Sequence, residues 1–220
     1  MLRCGMVLIG LTGGLASGKS TIARMFQNVG AHVIDADQLS REVVQPGKPA
    51  WRDIQHSFGP AILHTDRTIN RAALAKVVFD NPRALQRLEH IIHPRVARAQ
   101  AKMVRFIEHR TPHAVIIYDA ALLIEAGAYR RMDHVIVVTA DQATQVARAC
   151  RRSGLTKSQA LRRIRQQMPL RKKLSYADTV LDGTWPRPRL RRIVQALYRT
   201  YQYEAGGNSL RARQPRAQSL

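Results

Sequence analysis

Apolar residues fall along this chain in two rhythms, and the order of those rhythms predicts the architecture. Met6-Val7-Leu8-Ile9-Gly10-Leu11 is a short continuous apolar run, the pattern of a strand buried on both faces. Beyond it, Ile22, Met25, Phe26 and Val29 recur at helical spacing, as one face of a helix that Gly30 closes. Ala31-His32-Val33-Ile34 predicts a second strand, ending in Asp35-Ala36-Asp37, and Gln38 to Val44 a helix. Pro46-Gly47-Lys48-Pro49 is a turn signal. From there to about Arg110 the rhythm is helical, with Val96, Ala99, Met103, Phe106 and Ile107 on one face and Arg95, Arg98, Lys102 and Arg105 on another. Buried-strand runs return at Ala114-Val115-Ile116-Ile117-Tyr118-Asp119, at His134 to Thr139 and at Val180-Leu181. Strands alternating with helices on this spacing predict an α/β fold with a doubly wound parallel sheet. The long helical stretch breaks that alternation and reads as an inserted helical subdomain.

The segment between the first strand and the first helix carries the most specific chemistry. Gly13-Gly14-Leu15-Ala16-Ser17-Gly18-Lys19-Ser20, followed by Thr21, fits G-x-x-x-x-G-K-[ST], the phosphate-binding P-loop. Glycines let successive backbone N–H groups converge on an anion, because they accept φ > 0 and put no Cβ in its way. Lys19 supplies a point charge for the β- and γ-phosphates, and Ser20 a hydroxyl for Mg²⁺. The following helix directs its positive end at the same place. A nucleoside triphosphate is the expected ligand, and the fold is of the P-loop NTPase type.

Two further strand ends carry acids. Asp35 and Asp37 would lie at the carboxyl end of a parallel strand, where open α/β sheets place their ligands, and in an extended chain they point to the same side. Asp37 also reads as an N-cap for the helix after it. Asp119 ends a buried strand, the second signature of P-loop NTPases, whose carboxylate holds Mg²⁺ directly or through water. His90 and His93 are three residues apart, but with only Glu89 nearby they lack a metal-binding set.

Charge changes the picture. The net charge is +21, and it is uneven: residues 1–147 carry +6 and residues 148–220 carry +15. From Arg148 to Lys173 there are 10 basic residues and no acidic one. Unpaired like charges repel, so such a segment implies an anionic ligand, and in phosphoryl transfer that is the profile of a lid. The boundaries expected from these patterns are a core at 1–40, 111–147 and 174–204, a helical subdomain at 41–110, a lid at 148–173 and a disordered basic tail at 205–220. Two cysteines, Cys4 and Cys150, make no disulfide framework, so a reducing cytoplasm is the expected setting. No apolar run approaches the roughly 18 residues of a membrane span. The residues alone leave open a small-molecule P-loop kinase or a nucleic-acid-binding P-loop ATPase. The second has no recognition motif, and aromatics are only 5% of the chain, too few for a base-stacking platform.

The ordered set of motifs resembles the dephospho-coenzyme A kinase family over roughly residues 7–200. The resemblance rests on Ile9-Gly10-Leu11-Thr12-Gly13-Gly14, Val33-Ile34-Asp35-Ala36-Asp37, Pro46 to Ala50, Phe58-Gly59, Arg71 to Phe79, Leu88-Glu89 and His93-Pro94. It continues through Leu122-Leu123-Ile124-Glu125, Gln145 with Arg148 and Arg152, Arg163 with Gln167, and Ala177-Asp178. It implies transfer of phosphate from ATP, with Mg²⁺, to the ribose 3′-hydroxyl of dephospho-CoA, and a core, CoA domain and lid. By the same resemblance Asp37 receives the hydroxyl proton, Ala16 to Thr21 form the ATP loop, and Arg148 is a lid arginine near the phosphates. No specific nucleic-acid partner is implied. The chain departs from the usual family pattern at Ala16 and Arg67, where glycine is common, at Asn70, where aspartate is usual, at Ala121, where proline is, and at Asp182, where asparagine is.

Overall fold

The computed structural model describes residues 5–79 and 81–207. Five parallel strands make one sheet: β1 (Met6–Gly13), β2 (His32–Asp35), β3 (Ala114–Asp119), β4 (His134–Thr139) and β5 (Thr179–Asp182), in the order β2-β3-β1-β4-β5. β1 is central because its apolar run tolerates burial on both faces and pairing on both edges. From β1 the chain builds one side of the sheet, then crosses to the other, so the carboxyl end of β1 is a topological switch point. Register brings the acids together: Asp119 pairs with Leu11 of β1 on one side and with Asp35 of β2 on the other.

Alternation along the strands divides the core. Val7, Ile9 and Leu11 face α1 (Lys19–Asn28) and α9 (Arg187–Ala205), packing with Ile22, Phe26, Leu190, Val194 and Tyr201. Met6 and Leu8 face the other way, with Tyr118, Leu39 of α2 (Ala36–Val43), and Val104 and Ile107 of α5 (Pro82–Arg110). A third apolar cluster contains no strand residue. It joins Val44, which caps the end of α2, Ala50 and Ile54 of α3 (Pro49–Phe58), Leu74 and Val78 of α4 (Arg71–Phe79), and Ala84 of α5. Helices α2 and α5 belong to both the second and third clusters, and so fasten the helical region to the sheet. Among the described residues no helix is long and apolar enough to cross a membrane.

Several elements differ from the sequence expectation. The apolar face of α5 is rotated: Gln100, Val104 and Ile107 are buried, whereas Met103 and Phe106 are exposed, with the Arg110 guanidinium 4.5 Å over the Phe106 ring. Helix α6 (Gln142–Ser153) runs unbroken through residue 148, so the expected lid boundary falls inside a helix capped by Asp141. Ala205, assigned to the tail, is the buried last residue of α9, and the rest of that expected tail from residue 208 lies outside the described residues.

The basic segment continues through α7 (Lys157–Arg165) and α8 (Leu170–Leu174), and it is tied to the sheet by a buried lysine. Lys173 is 1% exposed, and its ammonium donates to Ala121 O at 3.0 Å and pairs with Glu125 at 3.0 Å. The same Glu125 oxygen accepts from Met168 N, at 3.0 Å. Removing either partner strands the other, but unequally, because Glu125 retains 23% exposure. Lys173→Met is expected to cost about 1–3 kcal/mol, and Glu125→Ala to cost more, because it leaves the fully buried ammonium without its anion. Urea titration of both variants checks the ranking, and the reverse order would show that burial of the lysine is not the dominant cost.

Candidate active site

The loop between β1 and α1 is packed closely against its protein neighbours. A Cβ on Gly13 would lie 2.6 Å from Val138 O and 2.7 Å from Ser17 Oγ, and one on Gly14 would lie 2.8 Å from Gln145 Oε1. These two glycines therefore make room for the protein's own packing. Gly18 does supply left-handed backbone, at φ 108°. Ala16 also sits in that region, at φ 53°, and Arg67 at φ 65°. Both positions commonly hold glycine in the family the sequence resembles, and the backbone gives the reason: a side chain here costs about 1–2 kcal/mol of crowding.

Donors without acceptors face the crevice. Ser17 N closes on Gly14 O at 3.1 Å and Thr21 N on Gly18 O at 2.9 Å, but no acceptor among the described residues takes the amides of Gly18, Lys19 or Ser20. Together with the N-terminus of α1, these amides form a cradle for phosphate oxygens. The Ser17 hydroxyl is buried and has no partner among the described residues. Ser20, in the first turn, is exposed.

Arg148 reaches the loop from below. Its guanidinium donates to Ser17 O at 3.2 Å, to Ala16 O at 3.5 Å and to Gly183 O at 3.0 Å. It thus bridges the P-loop to the turn after β5, where a Cβ on Gly183 would meet Ser17 O at 1.9 Å. Asp182 organises that turn by accepting from Thr184 N at 2.8 Å and Thr184 Oγ1 at 2.6 Å. From the side of α7 and α8, Gln167 Oε1 accepts from Leu15 N at 2.9 Å. Residue types alone do not assign Gly183 and Gln167 to the site; only the folded chain brings residues more than a hundred positions apart to one loop.

The acids lie at the adjoining edge. Lys19 Nζ is ion-paired and hydrogen-bonded to Asp119 Oδ1, with the two side chains 15% and 9% exposed. Burial pushes the Asp119 carboxyl above the ordinary value, the Lys19 ammonium pulls it back, and Asp35 and Asp37 push it up again. Strand β2 ends at Asp35, and α2 starts at Ala36, so Asp35 and Asp37 do not share an extended segment. The N-cap is Asp35, not Asp37: Asp35 Oδ1 accepts from Asp37 N at 2.8 Å and Gln38 N at 3.0 Å. The Asp37 carboxylate is exposed in the first turn of α2, with no protein partner among the described residues. Those residues contain no cluster of three or more histidines, cysteines or acids that could hold a metal unaided.

Comparison with known proteins accords with this geometry. The profile of the family described as dephospho-CoA kinase matches residues 7–185. A dephospho-CoA kinase of Geobacter metallireducens is 47% identical over 195 residues, covering 88% of this chain and 96% of the relative. That of Syntrophus aciditrophicus is 37% identical over 196 residues, covering 89% of this chain and 83% of the relative. Among solved structures, a Thermus thermophilus protein superposes with TM-score 0.78 at 30% identity, covering 88% of this chain and 97% of that one. The Campylobacter jejuni dephospho-CoA kinase does so at 0.65 with 23% identity, over 93% and 100%, a likeness of fold. Since the profile spans most of the chain, and near-half identity to one relative extends along almost the full length of both, this protein belongs to the dephospho-CoA kinase family.

Proposed function

We propose that the crevice at the carboxyl ends of β1, β2 and β3 transfers the γ-phosphoryl group of ATP to the ribose 3′-hydroxyl of dephospho-CoA. The observation that carries this reading is the pairing, on one sheet edge, of a cradle of backbone amides that no protein acceptor takes with a carboxylate, Asp37, that has no partner among the described residues. Phosphoryl transfer passes through a loose transition state, so what the protein must supply is alignment and neutralisation of charge. The free amides of Gly18, Lys19 and Ser20 hold phosphate oxygens, within a loop running from Gly13 and Gly14 through Ala16 and Ser17 to Thr21. The Lys19 ammonium, held ready by Asp119, adds a mobile positive charge. Arg148 acts on the reaction through the loop: by fastening the carbonyls of Ala16 and Ser17, it keeps the neighbouring amides aimed at the crevice.

Ser20 Oγ and the Asp119 carboxylate are hard oxygen donors of the kind Mg²⁺ prefers alongside phosphates and water. They would hold the ion, which supplies further charge neutralisation at the phosphates. The two strand-end acids divide their labour. Asp35 spends an oxygen on the α2 cap, whereas both Asp37 oxygens are free to orient the hydroxyl and take its proton. A cytoplasmic setting belongs to the same reading, supported by the sparse cysteines and the requirement for ATP.

This division is testable. Asp37→Asn is expected to lower turnover with dephospho-CoA by roughly 10²–10⁴ while leaving the melting temperature and ATP affinity nearly unchanged. Asp35→Ala is expected to lose about 0.5–2 kcal/mol of stability through the cap, with the smaller loss of turnover. Steady-state kinetics and melting curves on both variants decide the matter; an inactive, normally stable Asp35 variant beside an active Asp37 variant would reverse the assignment. Lys19→Ala is expected to abolish transfer, and near-normal ATP turnover by that variant would remove the kinase reading altogether.

A further inference from the structure

Helix α9 carries its charge against its own stability. Five of its residues are arginine, Arg187, Arg189, Arg191, Arg192 and Arg199, and all five are exposed. Its single acid, Glu204, pairs with His134 at the start of β4, at 2.7 Å. No carboxylate among the described residues pairs with any of the five arginines. The first turn holds two of these cations and no acid, and the last turn holds no basic residue, the reverse of what the helix dipole favours. Like charges one turn apart, as at Arg187 with Arg191 and Arg189 with Arg192, repel as well. A helix that had only to cover the sheet would gain stability by losing them.

Helical geometry gathers the charge. Leu190, Val194, Tyr201 and Ala205 turn toward the sheet. With about 3.6 residues per turn, the opposite crest is formed by Arg189, Arg192, Arg199 and Tyr203, and its arginines span about 15 Å of helix. Arg191 flanks this row. Arg24 stands exposed on α1, the neighbouring helix of the same layer, which contains no acid. Trp185 lies beneath Arg189, whose guanidinium carbon is 4.0 Å from the centre of the indole ring system. Stacking fixes the plane of that guanidinium without using any of its N–H donors.

We infer that this face of α1 and α9 binds the phosphate backbone of a nucleic-acid strand, without regard to base sequence. Three kinds of partner carry negative charge over such a length, and apolar exposure separates them. Anionic membranes hold a basic helix through an apolar face laid into the lipid, and acidic protein segments are held around a buried apolar centre. On α1 and α9 Tyr203 is the only large apolar side chain exposed. Phosphates need no apolar contact: a row of guanidiniums, each able to bond two phosphate oxygens, binds by releasing counterions. Contacts to the backbone also need no base-stacking platform, so the low aromatic content is no obstacle. The face is separate from the phosphate cradle. Helix α9 runs back toward the amino ends of the strands, where Ala205 O meets His113 Nδ1 at 2.9 Å, so Arg192 and Arg199 lie away from the crevice.

The test is titration of the full chain into a short labelled DNA duplex of mixed sequence, followed by fluorescence anisotropy across a salt series. Wild-type protein should bind with a Kd on the order of 10⁻⁴–10⁻⁶ M near physiological salt, and a duplex of different sequence should bind within about two-fold of the first. Arg192→Gln/Arg199→Gln removes two phosphate contacts. It should weaken binding roughly 10- to 100-fold at ~50 mM salt and flatten the slope of log K against log salt by about 2. Kinase turnover should stay unchanged in that variant, and its melting temperature should be equal or higher because repulsion is relieved. Arg192→Lys/Arg199→Lys, which keeps the charge, should recover most of the affinity and the slope. Absence of binding by the wild type, unaltered binding by the glutamine variant, displacement of the duplex by MgATP, or equally strong capture by vesicles of anionic phospholipid would each overturn the assignment.

Discussion

The placement of β1 between β3 and β4 is the constraint from which the rest of the crevice follows. A strand hydrogen-bonded on both edges and buried on both faces has no freedom to slide, because a one-residue slip would exchange its two apolar faces. Its parallel register with β3 sets Leu11 beside Asp119, and the register of β3 with β2 sets Asp119 beside Asp35. The P-loop leaves β1 at that level, and α1 begins where the amides must point. Strand pairing therefore positions the phosphate cradle and the acids before any polar contact is made.

Polar contacts then fix the loop within the frame. Arg148 and Gly183 hold it from beneath, and Gln167 reaches Leu15 N from the side of α7 and α8. All three come from the last third of the chain, so a loop coded near the start is completed by segments made near the end. The basic excess gains meaning in the same way. Lys19, Arg148 and Lys173 are spent on the fold or poised by it, whereas Arg151, Arg152, Arg162, Arg163 and Arg165 are exposed with no carboxylate partner among the described residues. The first residues of that segment belong to the continuous helix α6.

Much of the architecture was legible because the signals are local. Uninterrupted apolar runs, helical spacing after the P-loop and terminal acids depend only on neighbours in sequence, and all reappear in the strands and helices. Where reasoning from sequence misplaced a feature, a distant contact was responsible. Apolar residues alone predict a face through Met103 and Phe106 of α5, but burial includes Gln100, whose side-chain oxygen accepts from Arg131. A helix read from Gln38 makes Asp37 its cap; pairing with β3 ends β2 at Asp35, and the helix starts one residue later.

The sequence by itself determined that the chain alternates strand and helix, that an anion-binding loop joins the first pair, and that acids stand at two strand ends. Spacing and residue type suffice for these, since each depends on backbone conformation over a few residues. Only the tertiary structure decided which acid is free and which is a cap, that Gly13 and Gly14 yield space to Val138 and Gln145, and that Arg148 braces the loop from below. Those are properties of close packing and of hydrogen bonds between residues remote in the chain. Their energies exist only once the sheet has brought the partners within reach.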